Sequence, residues 1–424
     1  MGVQSMSIHF FSGGAGCGKT HRLMSTLIET LNTSPLQAGQ QVLALTFMHG
    51  SRRRLDERLS ALGPLARKYE CVVLDSFALK IVTRWRSLLA ALGIAPPGAD
   101  AYDQVCDAAS KLLAHAFVAK WVAATYPIVI LDEAQDLSQE RLNIVQNLAM
   151  HVTLLVAADE FQCLNEDLRP NPTVQWLETV CGGIELIEPK RTNIAQLLTA
   201  ASAIRQGRGP MAEGAFRIFQ TSNSGLAGSY VANAIAWARG RRVAVITTTA
   251  NKFAGDVVAW VGTRTNTKGN GPYAVRWERS DNKAMEEYIA NAVLHERMSV
   301  PDVLRVITAG DDIRVHSEVS AWLSRQRRTK GRLEFSKDEV VGAITRCFTA
   351  RKHSFVRRDS SHVAMTVHGA KNREFDHVVV LWPAATGGDD EQKRRLLYNA
   401  VTRAKRQCVV LVQAAAALRQ PPFV

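Results

Sequence analysis

The fold is decided by the stretch Gly13-Gly14-Ala15-Gly16-Cys17-Gly18-Lys19-Thr20, which fits the pattern G-x-x-x-x-G-K-[ST]. An apolar run, 8–11, precedes it, and apolar residues at helical spacing follow it over 23–31. This strand–loop–helix setting predicts a phosphate-binding loop, because glycines let backbone N–H groups face an anion and the helix N-terminus adds its positive dipole. In such a loop Lys19 reaches the outer phosphates and the Thr20 hydroxyl holds Mg²⁺. The alternative is a chance glycine-rich turn.

The composition is that of an ordinary globular protein, with 424 residues of which 46% are hydrophobic and 21% are charged. A chain of this length predicts about two or three domains, each with a core of its own. The formal net charge of +13 favours a polyanionic partner, with nucleic acid ahead of a membrane surface.

Seven cysteines occur singly, without a C-x-x-C pair or a cluster with histidine. This distribution argues against a disulfide framework or a zinc site and is typical of the reducing cytoplasm. No apolar run approaches the roughly 18 residues of a membrane span, and the N-terminal segment lacks the features of a secretory signal. We therefore expect a cytoplasmic protein without a membrane partner.

Apolar strands and helical patterns alternate in the first part of the chain. The strands are predicted at 41–47, 71–74, 127–131 and 151–157. Such alternation indicates an α/β fold with a parallel sheet, which binds ligands at the carboxyl ends of its strands. Asp132, Glu133 and Asp159 directly follow two of these strands, so we expect them at the same edge as the phosphate loop. The alternative for each acid is a helix N-cap, which would be the better interpretation for Asp132 alone but not with a phosphate loop upstream.

A second α/β block begins near residue 191. Its strands are predicted at 242–247, 273–277, 363–367, 377–382 and 407–412. The chain thus divides into a first domain, 1–190, with a short helical insertion at about 86–125, and a second domain, 191–424, with a basic insertion at about 300–360. The basic residues of that insertion include Arg325, Arg327, Arg328, Lys330, Arg332, Arg346, Arg351, Lys352, Arg357 and Arg358. An equally weighted alternative is that they form only a solvated surface.

Seven segments resemble, in order, the motifs of superfamily 1 helicases of the UvrD/Rep/PcrA type, over almost the whole chain. The phosphate loop is similar to motif I, 43–59 (LALTFMHGSRRRLDERL) to motif Ia, 129–137 (VILDEAQDL) to motif II and 156–164 (VAADEFQCL) to motif III. Residues 188–193 (EPKRTN) resemble motif IV, 365–375 (MTVHGAKNREF) motif V and 395–405 (RLLYNAVTRAK) motif VI. One such segment would be weak support, whereas seven in family order are strong.

The resemblance implies two RecA-like P-loop NTPase domains with parallel sheets, and ATP and Mg²⁺ bound in the cleft between them. It also implies that single-stranded DNA, or a junction of single and double strands, crosses both domains and that movement is 3′ to 5′. Lys19 and Thr20 would hold phosphate and metal, and Asp132 would complete the Mg²⁺ site. Glu133 would orient and deprotonate the attacking water.

Further roles are carried over from the resemblance position by position. Gln162 would link the γ-phosphate to domain closure. Arg191 and Arg403 match the two arginines that reach across the cleft, where planar guanidinium groups stabilise the charge of the transition state. Glu374 matches the residue that binds the ribose. The positions expected to contact DNA are Thr46, Phe47, His368 and Lys371.

Each of these residues also has a structural alternative. Arg191 could be a surface arginine, and Arg403 could lie in a solvated basic helical turn at 403–406. Glu374 could cap the turn before the next strand, and Phe47 could be a core phenylalanine at a strand end.

The chain departs from the family pattern at several positions. Lys190 stands where the family has an aromatic that stacks on adenine, so selectivity for the base is open. Asn165 and Asp167 align with the DNA-stacking aromatics of motif III and cannot stack. The first accessory domain of the family is nearly gone, and the second is reduced to the basic insertion. Nucleotide hydrolysis is therefore better supported than autonomous strand separation.

Three functions remain open at this point. The first is an ATP-dependent DNA helicase or translocase. The second is a nucleotide-gated sensor that binds DNA and works with a separate effector, such as a nuclease, without unwinding. The third is an RNA-directed motor, because no residue pattern here selects for or against the 2′-hydroxyl. Strand displacement by the purified protein separates the first from the second, and stimulation by DNA against RNA tests the third.

Overall fold

The structure is a computed structural model that describes residues 7–47, 49–65, 68–98, 101–278, 281–309, 312–354 and 362–424. The chain forms two compact units, residues 1–276 with 361–424, and residues 277–360. Arg357 and Arg358 of the predicted basic insertion lie outside the described residues.

Strands and helices alternate through the first part of the chain, as the sequence predicts. They are β1 (Ser7–Gly13), α1 (Lys19–Thr33), β2 (Val42–Thr46), α2 (His49–Ser60), β3 (Tyr69–Val73), α3 (Leu74–Arg84), α4 (Arg86–Ala91), α5 (Tyr102–Leu113), α6 (Ala116–Thr125), β4 (Ile128–Asp132), α7 (Gln139–Ala149), β5 (Thr153–Ala158), α8 (Pro172–Cys181) and β6 (Ile184–Leu186). The edge strand β6 is an addition to the predicted set.

The six strands form one parallel sheet in the order β3-β2-β4-β5-β1-β6. All residues of β2 and β4 are buried, because helices cover both faces of the sheet. In this register Phe11 lies opposite Ala157, and Thr46 lies opposite Asp132. The carboxyl ends of β1, β2, β4 and β5 therefore share one edge. We call this sheet and its helices the first lobe.

The chain then passes into a second set of elements. They are α9 (Ala195–Arg205), β7 (Phe216–Gln220), α10 (Ser224–Trp237), β8 (Val243–Thr247), α11 (Lys252–Thr263) and β9 (Val275–Trp277). Helices α10 and α11 each begin behind an asparagine, Asn223 and Asn251, whose side chain accepts a hydrogen bond from the first turn of the helix.

The unit of residues 277–360 has a core of its own. Its elements are α12 (Asp281–Asn291), β10 (Arg297–Ser299), α13 (Val300–Ala309), α14 (Ile313–Lys330), β11 (Glu334–Ser336) and α15 (Lys337–Ser354). Strands β10 and β11 pair antiparallel, with Met298 opposite Phe335 and both side chains buried. Each strand ends in a serine that, with an acid three residues on, caps the following helix, Ser299 with Asp302 and Ser336 with Glu339.

The remaining elements return to the first compact unit. They are β12 (His362–Thr366), α16 (Val367–Ala370), β13 (Phe375–Trp382), α17 (Asp390–Val401) and β14 (Ala404–Val412). The second sheet has the order β7-β14-β13-β8-β12-β9, and β7, β14, β13, β8 and β12 pair parallel. We call this sheet with α9–α11, α16 and α17 the second lobe. Two parallel sheets with alternating helices confirm the predicted α/β fold with two RecA-like P-loop NTPase domains.

Strand β14 corrects one sequence-based alternative. Residues 403–406 do not form a solvated helical turn, because β14 begins at Ala404 and Arg403 is only 1% exposed.

None of the helices in the described part of the chain combines the length and the apolar composition that a membrane span requires.

Candidate active site

The phosphate loop lies between β1 and α1. The Lys19 ammonium donates to the carbonyl oxygens of Gly13 at 2.8 Å and Gly14 at 3.0 Å, and lies 3.8 Å from a carboxylate oxygen of Asp159. Gly16 has φ +82°, and a Cβ there would lie 2.6 Å from the Cβ of Arg191. Only glycine fits both the backbone conformation and this close approach. The loop therefore has the form of an anion cradle with its lysine at the rim.

Thr20 and Asp132 meet beside this cradle. The Thr20 hydroxyl donates to Asp132 at 3.1 Å, although the two residues follow different strands. Hydroxyl and carboxylate oxygens are ligands that Mg²⁺ prefers, so both residues fit that ion. In the described part of the chain no group of three or more His, Cys, Asp or Glu is arranged to hold a metal. A bound Mg²⁺ would take its other ligands from phosphate and water.

Asp132 and Glu133 differ in their electrostatic surroundings. Burial raises the pKa of Asp132 to about 6, and the charge of Glu133 adds to the rise. Burial alone would also raise the pKa of Glu133, but the charges of Lys19 and Lys371, with a hydrogen bond from Gln135, outweigh it and lower the pKa. The Gln135 amide donates to Glu133 at 2.6 Å. Glu133 therefore stays ionised, as a general base must be.

Glu133 also has an uncommon backbone conformation. Its φ of 62° lies in the left-handed region, which non-glycine residues rarely adopt. Such a conformation persists only where its surroundings hold it, and it recurs at functional sites.

Gln162 connects the first lobe to the second. Its amide nitrogen donates to Asp159 at 2.6 Å, and its oxygen accepts from the Arg403 guanidinium at 3.0 Å. Gln162 and Arg403 are 3% and 1% exposed. The arginine of the second lobe is thus brought beside the polar carboxyl end of β5.

The two predicted arginines lie near one another, because Arg191 contacts the residue that precedes Arg403. Arg191 donates to Glu374 at 2.9 Å and to the carbonyl oxygen of Thr402 at 2.8 Å. Burial lowers the pKa of Arg403 to about 9, and the positive charge of Arg191 contributes. Lys405 also pairs with Glu374, at 2.9 Å. The predicted ribose-binding carboxylate is therefore held between two cations.

Two further side chains of the second lobe, to which the sequence analysis assigned no role, also lie at this site. The Tyr398 hydroxyl accepts a hydrogen bond from the Ala15 N–H at 2.8 Å. Arg205, the last residue of α9, donates to Asp159 at 2.8 Å and to Tyr398 at 3.4 Å. Tyr398 falls inside the motif VI segment, whereas Arg205 has no signal in the sequence beyond its helix-terminal position.

Lys190 borders the phosphate loop and a cavity. Its N–H donates to the Gly16 carbonyl oxygen at 2.6 Å, and its side chain lies against Gly18. The cavity measures about 570 Å³ and is lined by Pro189, Lys190, Arg191, Thr192, Asn193, Ile194, Asp376, Lys405 and Arg406. None of these residues is aromatic, so the cavity offers no ring for stacking on a base.

The residues predicted to contact DNA have different exposures. Thr46 is fully buried, and Phe47 packs against the core of the first lobe with the Arg141 guanidinium 5.5 Å from its ring. Lys371 is 9% exposed and pairs with Asp136 at 2.5 Å. His368 is exposed on α16. Contact with DNA at these four positions stays a prediction.

Comparisons with known proteins give two family matches. Residues 3–166 match the model described as "AAA domain", and residues 362–411 match "UvrD-like helicase C-terminal domain". No curated protein matches the chain. Among solved structures, the chain is similar to "Crystal structure of Arterivirus nonstructural protein 10 (helicase)", with 9% identity and a TM-score of 0.42. That similarity covers 99% of this chain and 63% of the viral chain, so this chain spans less than two thirds of the length of that helicase.

The two family matches take in most of the site just described. Lys19, Glu133 and Gln162 fall in the first matched region, and Glu374 and Arg403 fall in the second. The matches also occur in the order in which the motifs follow one another along the chain. The chain therefore carries a match to a UvrD-like helicase C-terminal domain at residues 362–411, behind a match to an AAA domain at residues 3–166, and these matches support a likeness to UvrD-like superfamily 1 helicases.

Proposed function

We propose that this chain is an ATP-dependent helicase or translocase that moves 3′ to 5′ on single-stranded DNA. The observation that supports it most directly is the hydrogen bond from Arg403 to Gln162, because it brings a second-lobe arginine to the strand end beside Lys19. A nucleotide in such a site interacts with both lobes at once.

In the proposed reaction, Lys19 and the backbone N–H groups of the phosphate loop bind the phosphate chain. Thr20 and Asp132 would hold Mg²⁺, which neutralises phosphate charge when it is bound. Glu133 accepts a proton from the attacking water, and Gln135 fixes the orientation of its carboxylate. Arg191 and Arg403 stabilise the charge that spreads over the transferred phosphoryl group.

Movement of the protein along DNA would follow because residues of both lobes bind the same nucleotide. A triphosphate held by residues of both lobes favours the closed arrangement, and its hydrolysis removes that preference. If the lobes grip DNA alternately during this cycle, each turnover moves the protein along the strand.

The proposal is tested by the ATPase rate with and without single-stranded DNA. We expect stimulation by DNA in the wild type, loss of nucleotide binding in Lys19→Ala, and binding without turnover in Glu133→Gln. Hydrolysis that is indifferent to nucleic acid would remove the motor from consideration. RNA of matched length serves as the comparison for substrate choice.

A specific observation favours the second candidate, a DNA-binding ATPase sensor that works with a separate effector such as a nuclease. Asn165 caps a short helical turn by accepting from the Asp167 N–H, so this exposed segment offers a carboxylate rather than stacking rings. Robust strand displacement by the purified protein alone would discard the sensor.

A further inference from the structure

Asp159 is a buried carboxylate with partners from both lobes. It directly follows β5 and is 1% exposed. One of its carboxylate oxygens accepts from the Arg205 guanidinium at 2.8 Å, and the other accepts from the Gln162 amide at 2.6 Å. The Lys19 ammonium lies 3.8 Å from that second oxygen. A single carboxylate therefore lies between the lysine of the phosphate loop and an arginine of the second lobe.

The Arg205 guanidinium is fixed beside the phosphate loop by several contacts. It lies 5.7 Å from the centre of the Phe161 ring and 5.9 Å from that of the Tyr398 ring, and these two rings pack edge to face with their centres 5.0 Å apart. The guanidinium also donates to the Tyr398 hydroxyl at 3.4 Å. A Cβ added at Gly14 would lie 3.7 Å from one of its terminal nitrogens. The cation thus borders the loop while its short hydrogen bond is directed at Asp159.

The position of Arg205 at the end of α9 offers a simpler explanation, because a cation there interacts favourably with the negative end of the helix. The carbonyl oxygens of residues 202–204, however, already accept from the backbone N–H groups of residues 206–208. The Arg205 side chain donates to Asp159 instead, whereas the nearby Arg208 is exposed. The direction of the Arg205 side chain is therefore explained by its contact with Asp159.

Lys19 is the second cation that pairs with Asp159 in the described part of the chain. At 3.8 Å its ammonium makes no hydrogen bond to the carboxylate, and its hydrogen bonds go to carbonyl oxygens of the phosphate loop. A buried carboxylate that loses a cation is strongly unfavourable unless another cation takes its place. Without Arg205, Lys19 would move towards Asp159 and would be less available to a phosphate.

We propose that Arg205 is a positioning residue for the nucleotide site, which binds Asp159 so that Lys19 stays available to the phosphates. This inference rests on the proposed function, in which Lys19 binds the phosphate chain. Arg205 acts through Asp159 and does not itself contact the nucleotide. Because Arg205 belongs to the second lobe and Lys19 to the first, the nucleotide affinity of the phosphate loop depends on a contact between the lobes.

The test compares Arg205→Met with the wild type in their affinity for a non-hydrolysable ATP analogue in the presence of Mg²⁺. We expect the variant to bind about tenfold or more weakly, because Lys19 then pairs with Asp159 and loses a charge-assisted hydrogen bond to phosphate. Isothermal titration calorimetry gives the dissociation constants. Arg208→Met, three residues further along the chain and exposed, is the matched control and should bind as the wild type does.

A second substitution separates positioning from a direct contact with phosphate. Asp159→Asn removes the charge that would attract Lys19, so Arg205→Met combined with Asp159→Asn should bind the analogue within about twofold of Asp159→Asn alone. The double variant should also bind more tightly than Arg205→Met. Weaker binding by the double variant than by Asp159→Asn would mean that Arg205 contacts the nucleotide itself, and would overturn the positioning role.

Thermal unfolding without nucleotide controls for the effect on the fold. Arg205→Met leaves a buried carboxylate without its hydrogen-bonded cation and should lower the unfolding midpoint. Arg205→Gln keeps a hydrogen-bond donor for Asp159 without the charge, and its affinity for the analogue should fall by about threefold or more. A purely structural role would lower the midpoint and leave the affinity of the folded protein unchanged. Wild-type affinity in Arg205→Gln overturns the inference even where Arg205→Met does not fold.

The binding outcomes distinguish this inference from the proposed function. A wild-type protein that does not bind the ATP analogue removes the proposed function itself. Wild-type binding that is retained in Arg205→Met and in Arg205→Gln overturns only the role of Arg205.

Discussion

Arg403 carries a charge that the folded protein holds almost entirely out of water. It is 1% exposed, and its guanidinium donates to the Asn399 carbonyl oxygen at 2.9 Å as well as to Gln162. Burial lowers its pKa to about 9, which means that the folded state disfavours the charge. A polar group retained under such conditions is typical of a functional site rather than of a stabilising one.

We therefore expect Arg403→Ala to reduce ATP turnover on the order of 10³-fold, because the transition state loses a planar cation. Arg403→Lys should not restore it, since an ammonium cannot make the same pair of hydrogen bonds. Steady-state kinetics give kcat and KM separately. Arg406→Lys is the control, because Arg406 is an exposed arginine that pairs with Asp376 at 3.3 Å. A rise in KM with kcat unchanged would contradict a role in the transition state.

Glu374 provides a prediction for pH dependence. Burial works against its ionisation, but the charges of Arg191, Lys405 and Arg54 prevail and lower its pKa to about 2, below the usual 4.5. A carboxylate with a lowered folded-state pKa contributes stability above its unfolded pKa, and this contribution is lost as the pH falls from about 4.5 towards 2.

The variant that tests this is Glu374→Gln. At neutral pH we expect it to unfold with a free energy lower by on the order of 1–2 kcal/mol, because the side chain is partly exposed and solvent screens the pairs. The difference from wild type should shrink as the pH falls from 4.5 to 2. Glu57→Gln, on the exposed face of α2, is the control. A difference that is constant with pH would mean that ionisation of Glu374 is not the source.

The sequence predicted the residues that follow strands and lie within recognisable motifs. Lys19, Asp132 and Glu133 were found in this way, because a glycine loop and acidic strand ends have a pattern that chemistry requires. Arg205 could not be found, since it is the last residue of an otherwise uncharged helix outside every motif, and only its tertiary contacts with Asp159 and Tyr398 distinguish it.

At the scale of elements, α17 makes the main connection between the lobes that we observe. Arg395 donates to the Glu160 carbonyl oxygen at 2.7 Å, and Gln392 donates to the Leu164 carbonyl oxygen at 2.9 Å. Tyr398, on the same helix, accepts from the phosphate loop. The buried side chains of Gln392 and Arg395 thus find hydrogen-bond partners in the first lobe. The helix thus holds the segment after β5 and the phosphate loop at once.

Tyr398→Phe tests the hydrogen bond between α17 and the phosphate loop while it leaves the rest of the fold unchanged. It removes the acceptor of the Ala15 N–H and should lower the free energy of unfolding by about 1 kcal/mol. Because the same bond holds the phosphate loop against the second lobe, KM for ATP should rise by about two- to tenfold. Tyr230→Phe, whose ring stacks on Phe219 within the second lobe, is the control. Loss of stability without any change in KM would make the bond purely structural.

At the scale of the whole molecule, the alternation of strand patterns and helical patterns in the sequence predicted both parallel sheets. The sequence pattern did not predict the edge strands β6 and β7. Strand β6 has only three residues, none of them buried, and β7 has a single buried residue, so neither shows an apolar strand pattern. The pattern also did not give the start of the second compact unit at residue 277, which precedes the basic stretch from which the insertion was inferred. Edge strands and unit boundaries depend on contacts that a local pattern does not contain.

The net charge of +13 belongs to the whole chain, and it leads to a prediction about salt. If cationic side chains neutralise DNA phosphates, binding releases counterions, and the affinity for single-stranded DNA should fall with a log–log slope of about −0.7 per phosphate contacted. Fluorescence anisotropy with a labelled oligonucleotide over a range of salt concentrations gives this slope. We expect a slope steeper than about −2, corresponding to at least three phosphates. A flat response would mean that the positive charge lies away from the DNA.

Replacing the exposed Arg325, Arg327 and Arg328 of α14 by glutamine then tests where the phosphate contacts lie. A shallower slope in that variant assigns phosphate contacts to the unit of residues 277–360, whereas an unchanged slope assigns them to the two-sheet unit.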